Sequence, residues 1–168
     1  MAKAHFIAPT VPQEAARTVR LGAQGSAFAD TEEGKLVKLA AESEYDLCAA
    51  GDPIEAVVAS VDNATAGGFK IGSIYDEGTI FATADGAQAT PGTGTLAIGD
   101  YVVCGTVSAI GTALTTYPKV TKATDQPGGA AYSQAAAKTA MFAWRVESLG
   151  SVGTGAVGTT VVIRRVNA

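Results

Sequence analysis

Turn signals recur through residues 35–167 at roughly 8–12-residue spacing, the interval of β-sandwiches and barrels. The segments between them are short, rich in Val, Ile and Thr, and alternate with a period of two rather than 3.6. No long helix and no strand–helix–strand rhythm runs through the chain, so the pattern predicts an all-β fold. At 42–47, Glu42, Glu44 and Asp46 alternate with Ser43, Tyr45 and Leu47, as on a half-buried strand. Gly51-Asp52-Pro53 forms a turn into the β-branched run 54–61. Segments 69–75 and 79–83 flank Asp76-Glu77-Gly78 and read as a hairpin with a short glycine-containing loop. Residues 84–95 read as a small-residue loop, and Gly99-Asp100 launches a strand from Tyr101. The two Gly-Asp starts mark either corresponding places in a pseudo-repeated sheet or, the preferred reading, one turn chemistry used twice. Residues 130–140 carry enough alanine for a short helix but no large apolar face to hold it down, so a loop is the equal alternative. The clearest strand is 141–149, with Phe142, Trp144 and Val146 on one face and Ala143, Arg145 and Glu147 on the other. A glycine-rich turn then leads into 159–166. About eight short strands result, forming a single β-sandwich, jelly-roll-like or β-barrel domain over 35–168.

Residues 1–34 differ. Pro9 and Pro12 favour extended backbone before them, residues 13–21 fit one helical turn or a short strand, and Gly22, Gly25 and Gly34 interrupt the chain. We read this stretch as an extended N-terminal arm available to a partner. Phe6, Ile7, Val11 and Leu21 are its apolar anchors, and Arg17 and Arg20 are its positive charges.

Composition narrows the function classes. Charged residues make up 17% of the 168, against about 25% in ordinary domains, while 20 glycines and a high alanine content lighten the chain. Mean hydropathy is +0.20, yet no apolar run approaches the roughly 18–20 residues of a membrane helix, which argues against a spanning protein. Low charge with frequent Val, Ile and Leu argues against disorder. A net charge of −4 leaves no basic footprint for direct nucleic-acid binding. The N-terminus has no apolar segment of signal-peptide length, and the expectation is synthesis and retention in a cytosol or a particle assembled there.

The chemistry-bearing residues are sparse. His5 is the single histidine and lies in the arm, so neither a serine nor a cysteine nucleophile has a well-placed base. Cys48 and Cys104 have no C-x-x-C spacing and sit in strand-like apolar segments. They read as buried free thiols, with a disulfide as the alternative. One His and two distant Cys do not make a zinc site, and Glu32/Glu33 and Glu42/Glu44/Asp46 do not match a calcium loop and read as solvated faces. Gly153-Thr154-Gly155-Ala156-Val157-Gly158 matches G-x-G-x-x-G, but a strand follows where a dinucleotide site needs a helix, so the segment is a hairpin loop. The pairs Arg17/Arg20 and Arg164/Arg165 are the local concentrations of positive charge, and each pair alone reads as scattered solvated charges. The expectation is a protein without catalytic residues, metal or cofactor.

The segment from Gly51-Asp52-Pro53-Ile54 through Gly67-Gly68-Phe69-Lys70-Ile71-Gly72 to Ile80-Phe81-Ala82 has a distinctive order. So do Ile98-Gly99-Asp100-Tyr101-Val102 and the ending from Trp144-Arg145-Val146-Glu147 to Ile163-Arg164-Arg165-Val166. This texture resembles the capsid decoration, or cement, proteins of tailed bacteriophages. The resemblance implies a structural protein that binds the outer surface of an assembled capsid and stabilises capsomer junctions. Its partner would be the major capsid protein, it would form a dimer or trimer, and it would reside on the virion exterior after assembly in the bacterial cytoplasm. Two rivals predict different features. A carbohydrate- or receptor-binding β-sandwich module would expose an aromatic cluster. A small hydrolase would hold a buried Asp or Glu with a shifted pKa in a cleft.

Overall fold

The computed structural model describes residues 16–22, 28–41, 44–66, 69–87, 90–91, 93–123 and 142–167. They form an all-β protein in which one short 3-10 turn, Asp30–Glu32, accompanies eleven strands. The barrel alternative is the one that forms, and it forms twice.

The first barrel contains β1 (Ala16–Leu21), β2 (Leu36–Ala41), β3 (Glu44–Leu47), β4 (Ala56–Ala66) and β5 (Phe69–Tyr75), closed in the order β1-β3-β2-β4-β5. The second is built from β6 (Thr79–Ala87), β7 (Thr90–Pro91), β8 (Tyr101–Cys104), β9 (Lys119–Lys122), β10 (Phe142–Ser148) and β11 (Thr160–Asn167). Its sheet runs β11-β10-β8-β9-β6-β7, and pairing of β11 with β6 returns it on itself.

The two barrels share one topology. In the first, β1 lies parallel to β3 and antiparallel to β5, while β2–β3, β2–β4 and β4–β5 are antiparallel. In the second, β6 lies parallel to β9 and antiparallel to β11, while β8–β9, β8–β10 and β10–β11 are antiparallel. Exchanging β1–β5 for β6, β8, β9, β10 and β11 reproduces every pairing. The pseudo-repeat is therefore real, but its register differs from the one the Gly-Asp turns hinted at. Gly51-Asp52 precedes β4 and Gly99-Asp100 precedes β8, which are not equivalent strands. The turns are the same chemistry used twice. Gly51 and Gly99 take φ of 88° and 91°, and each following aspartate accepts the backbone N–H three residues earlier, Ala49 at 2.7 Å and Ala97 at 2.8 Å.

Alternation explains how the barrels join. Val37, Ala56 and Val58 pack inside the first barrel with Leu21, Phe28, Tyr45 and Ile74. Their neighbours Leu36 and Val57 face the other way and join Cys48 and Ile54 in the core of the second barrel, with Ile80, Val102, Trp144 and Ile163. Consecutive buried residues such as Ala56-Val57-Val58 thus mark a strand covered on both faces.

Several expectations are corrected. The arm drawn over 1–34 is not an arm over its described part. β1 closes the first barrel between β3 and β5, in register from Ala16↔Tyr75 to Leu21↔Lys70, and Phe28 is buried in its core. Without β1, the edges of β3 and β5 would carry unpaired backbone groups. Residues 1–15 lie outside the described residues, as does the short helix or loop considered at 130–140. Segments 69–75 and 79–83 are strands but do not pair with each other, so Asp76-Glu77-Gly78 links the two barrels rather than capping a hairpin. The loop assigned to 84–95 holds the end of β6 and all of β7. The hairpin around the glycine-rich loop stands, since β10 pairs antiparallel with β11.

Candidate functional site

Two connections of the second barrel are longer than their counterparts in the first. The loop 105–118 separates β8 from β9, whereas β2 passes into β3 over two residues; the loop 149–159 separates β10 from β11. Loops on a rigid scaffold are where binding surfaces are normally built, and these two make two distinct regions.

The first region lies at the junction of the barrels. Glu32 is fully buried (0% exposed), which corrects its reading as a solvated charge. Its Oε1 accepts the Gly111 N–H at 2.6 Å and pairs with the Lys35 ammonium at 3.1 Å. Its Oε2 accepts the Ala29 N–H at 2.9 Å and the Thr31 hydroxyl at 2.7 Å. Lys35 also donates to the Ala109 carbonyl at 3.0 Å, so loop 105–118 is fastened to the first barrel through one buried ion pair. Burial pushes the Glu32 carboxyl up. Its bonds from Thr31, the Gly111 and Ala29 N–H groups and Lys35 outweigh this and hold it below its ordinary value. A second strap joins the barrels nearby: the Gly51 N–H donates to the Cys104 carbonyl at 2.8 Å and the Cys104 N–H to the Asp52 carbonyl at 3.0 Å. A third runs from Arg165, whose guanidinium donates to the Glu55 carbonyl at 2.6 Å.

Loop 105–118 roofs a cavity of about 250 Å³. Its walls are mainly apolar, with Leu36, Leu47, Ile110 and Leu114 among them, and Lys119 stands at the exposed side. Cys48 and Cys104 both line it, and both are buried free thiols, as read from the sequence. The thiol of Cys48 donates to the Pro53 carbonyl at 3.7 Å. The neighbouring Cys104 thiol and burial push the Cys48 thiol well up.

The second region lies where loops 93–100 and 149–159 meet. Thr95 bridges Ala156, and the Leu96 N–H donates to the Gly155 carbonyl at 2.9 Å. Gly155 sits at φ 57°, and a Cβ there would overlap the Leu96 carbonyl oxygen, so the loops approach this closely because the residue is glycine. Leu96 is buried as the anchor, whereas Ile98, Val152 and Val157 on these tied loops are 66%, 62% and 41% exposed.

The residues singled out from the sequence are distributed differently. Phe6, Ile7 and Val11 lie outside the described residues, as does His5. Leu21 is fully buried in the first barrel and serves its core. Arg17 donates to the Tyr45 hydroxyl at 2.5 Å and pairs with Asp76 at 3.0 Å; Arg20 pairs with Glu44 at 3.3 Å. Arg164 pairs with Glu147 at 3.4 Å. The other structural carboxylates are also engaged: Asp52 with Lys38 at 2.6 Å, Asp100 with Lys122 at 2.8 Å, and Asp85 with the Thr106 N–H at 2.7 Å. Burial raises the Glu55 carboxyl, against the opposing Leu39 backbone and Arg165, but neither Glu55 nor Glu32 lines the cavity. Among the described residues no three His, Cys, Asp or Glu are grouped to hold a metal, and no helix is long and apolar enough to cross a membrane.

The exposed apolar loop residues were missed in the sequence, although a signal existed. Ile98 precedes Gly99-Asp100, Val152 precedes Gly153, and Val157 precedes Gly158. A branched apolar residue inside a turn motif has no strand face on which to be buried. Comparison of the chain with protein-family models, with curated proteins and with solved structures returns no significant match.

Proposed function

We propose that this all-β double-barrel protein is a structural protein that decorates an assembled bacteriophage capsid, binding its outer surface and stabilising capsomer junctions. The observation that carries the reading is the exposure of Ile98, Val152 and Val157 on two loops tied together at one end of the second barrel. Three branched side chains held in water by a rigid loop pair cost solvation that a partner surface recovers. Ion-paired Asp52 and Asp100 and the buried Glu32–Lys35 pair support the same reading, because these charged groups serve to fix loops in place. The partner is the major capsid protein, and a second copy of this chain on a neighbouring site would add area by multivalency.

The test measures the shell rather than the protein. Expanded capsid shells, built from the major capsid protein encoded in the same genome, are heated with and without this chain. Added protein should raise the temperature at which they break; an unchanged transition at saturating protein would sink the proposal. Repeating the measurement with residues 1–15 deleted tests Phe6, Ile7 and Val11, since that deletion spares β1. Loss of stabilisation would assign them to capsid contact.

A further inference from the structure

The thiol pair is not used by the proposed docking role, and its placement is specific. Cys48 follows β3 of the first barrel and Cys104 ends β8 of the second. The backbone strap from Gly51 and Asp52 to Cys104 holds the two segments side by side. Both belong to one buried cluster, and both border the cavity under loop 105–118, whose rim residues Thr106, Val107 and Lys119 are exposed. Small solutes therefore have a route to two sulfur atoms that belong to different barrels.

We propose that Cys48 and Cys104 are a redox-responsive dithiol, oxidised to a disulfide by a peroxide that enters this cavity, so that a covalent bond locks the two barrels together. The chemistry balances with the peroxide as the two-electron oxidant. One sulfur attacks a peroxide oxygen, the O–O bond breaks, and the leaving oxygen departs as water with the thiol's proton. The second sulfur then attacks the resulting sulfenic acid, the S–O bond breaks, and a second water leaves with the second thiol's proton. The sulfurs must close to about 2.05 Å, and the adjoining cavity leaves room for the side chains to move. Burial keeps the pair reduced in the resting protein and makes the reaction slow. A thiophilic metal is not the occupant argued for, because the two sulfurs have no third ligand grouped with them among the described residues.

The full-length folded chain is treated with hydrogen peroxide at mildly alkaline pH over hours and examined by intact mass, peptide mapping and thermal unfolding. The expected product is a monomer lighter by two hydrogens, with the peptides of Cys48 and Cys104 joined and the bond reversed by dithiothreitol. Its unfolding midpoint should rise by roughly 10 °C, because the crosslink closes a long loop in the unfolded chain. Cys48→Ser and Cys104→Ser, treated identically, should form no crosslink and show no rise. Three results would overturn the inference: added oxygen at the thiols without a crosslink, a covalent dimer, or thiols that stay unmodified in the folded chain under conditions that oxidise them once it is unfolded.

Discussion

The Gly111 N–H donates to Glu32 Oε1 at 2.6 Å, joining residues 79 positions apart and belonging to different barrels. The bond lies beside the Lys35 ammonium, itself held by Glu32 and by the Ala109 carbonyl. A buried ion pair contributes little net stability by itself, but removing one member strands the other in a low-dielectric site. The pair is best understood as a clamp that fixes where loop 105–118 sits, and hence where the cavity is.

Glu32→Gln places an amide where Lys35 and the Gly111 N–H need a carboxylate. The substitution should cost about 3–5 kcal/mol of unfolding free energy. Adding Lys35→Met should cost less than the sum of the two single changes, because it removes the stranded charge. Urea unfolding of the four proteins checks this; strict additivity would mean the clamp does not exist.

Acid should expose the same clamp. The folded-state carboxyl of Glu32 lies below 4.5, so the unfolded chain takes up the proton first as pH falls. The stability it supplies is fully present above that value and is lost as pH drops through 4.5 and on through the folded pKa. Glu55 has the opposite sign, so the informative quantity is the difference between wild type and Glu32→Gln. That difference should be constant near neutrality and shrink below pH 4.5 in denaturant titrations; a gap that persists unchanged to pH 3 would contradict the assignment.

Trp144 is the only tryptophan and lies in the second core at 1% exposure. Its emission should be blue-shifted and poorly quenched by iodide. The indole Nε1 finds no hydrogen-bond partner among the described residues. Trp144→Phe should therefore lose packing but no hydrogen bond and stay well short of the roughly 3–5 kcal/mol expected for Trp144→Ala. A water-like spectrum would contradict the inward face of β10.

Local chemistry was legible in the sequence, and long-range chemistry was not. Inward Trp144 and Val146 against outward Arg145 and Glu147, the Gly-Asp turns and the glycine-rich hairpin loop are short-range signals that formed as read, whereas Ala143, read on the outer face, is buried. The two-barrel division was hidden because Asp76-Glu77-Gly78 has the composition of a hairpin turn, and only pairing decides whether flanking strands meet. β1 looked like an arm because its partners are β5, some 55 residues on, and a parallel β3, neither of which leaves a local mark. Glu32 looked solvated for the same reason, since its decisive donor is a backbone N–H in a distant loop. Among the apolar contacts, Leu21 illustrates the trade: the side chain offered for a partner is the one the barrel needs.

The most direct test of the decoration role compares wild type with Ile98→Asp/Val152→Asp/Val157→Asp by co-sedimentation with expanded capsid shells. Ile98 and Val152 are mostly in water and Val157 is partly so, and the variant should fold and melt close to wild type. The wild-type chain should sediment saturably with the shells, and the variant should bind at least about a hundredfold more weakly. A wild-type chain that stays in the supernatant, or a folded variant that binds as tightly as wild type, would contradict the account.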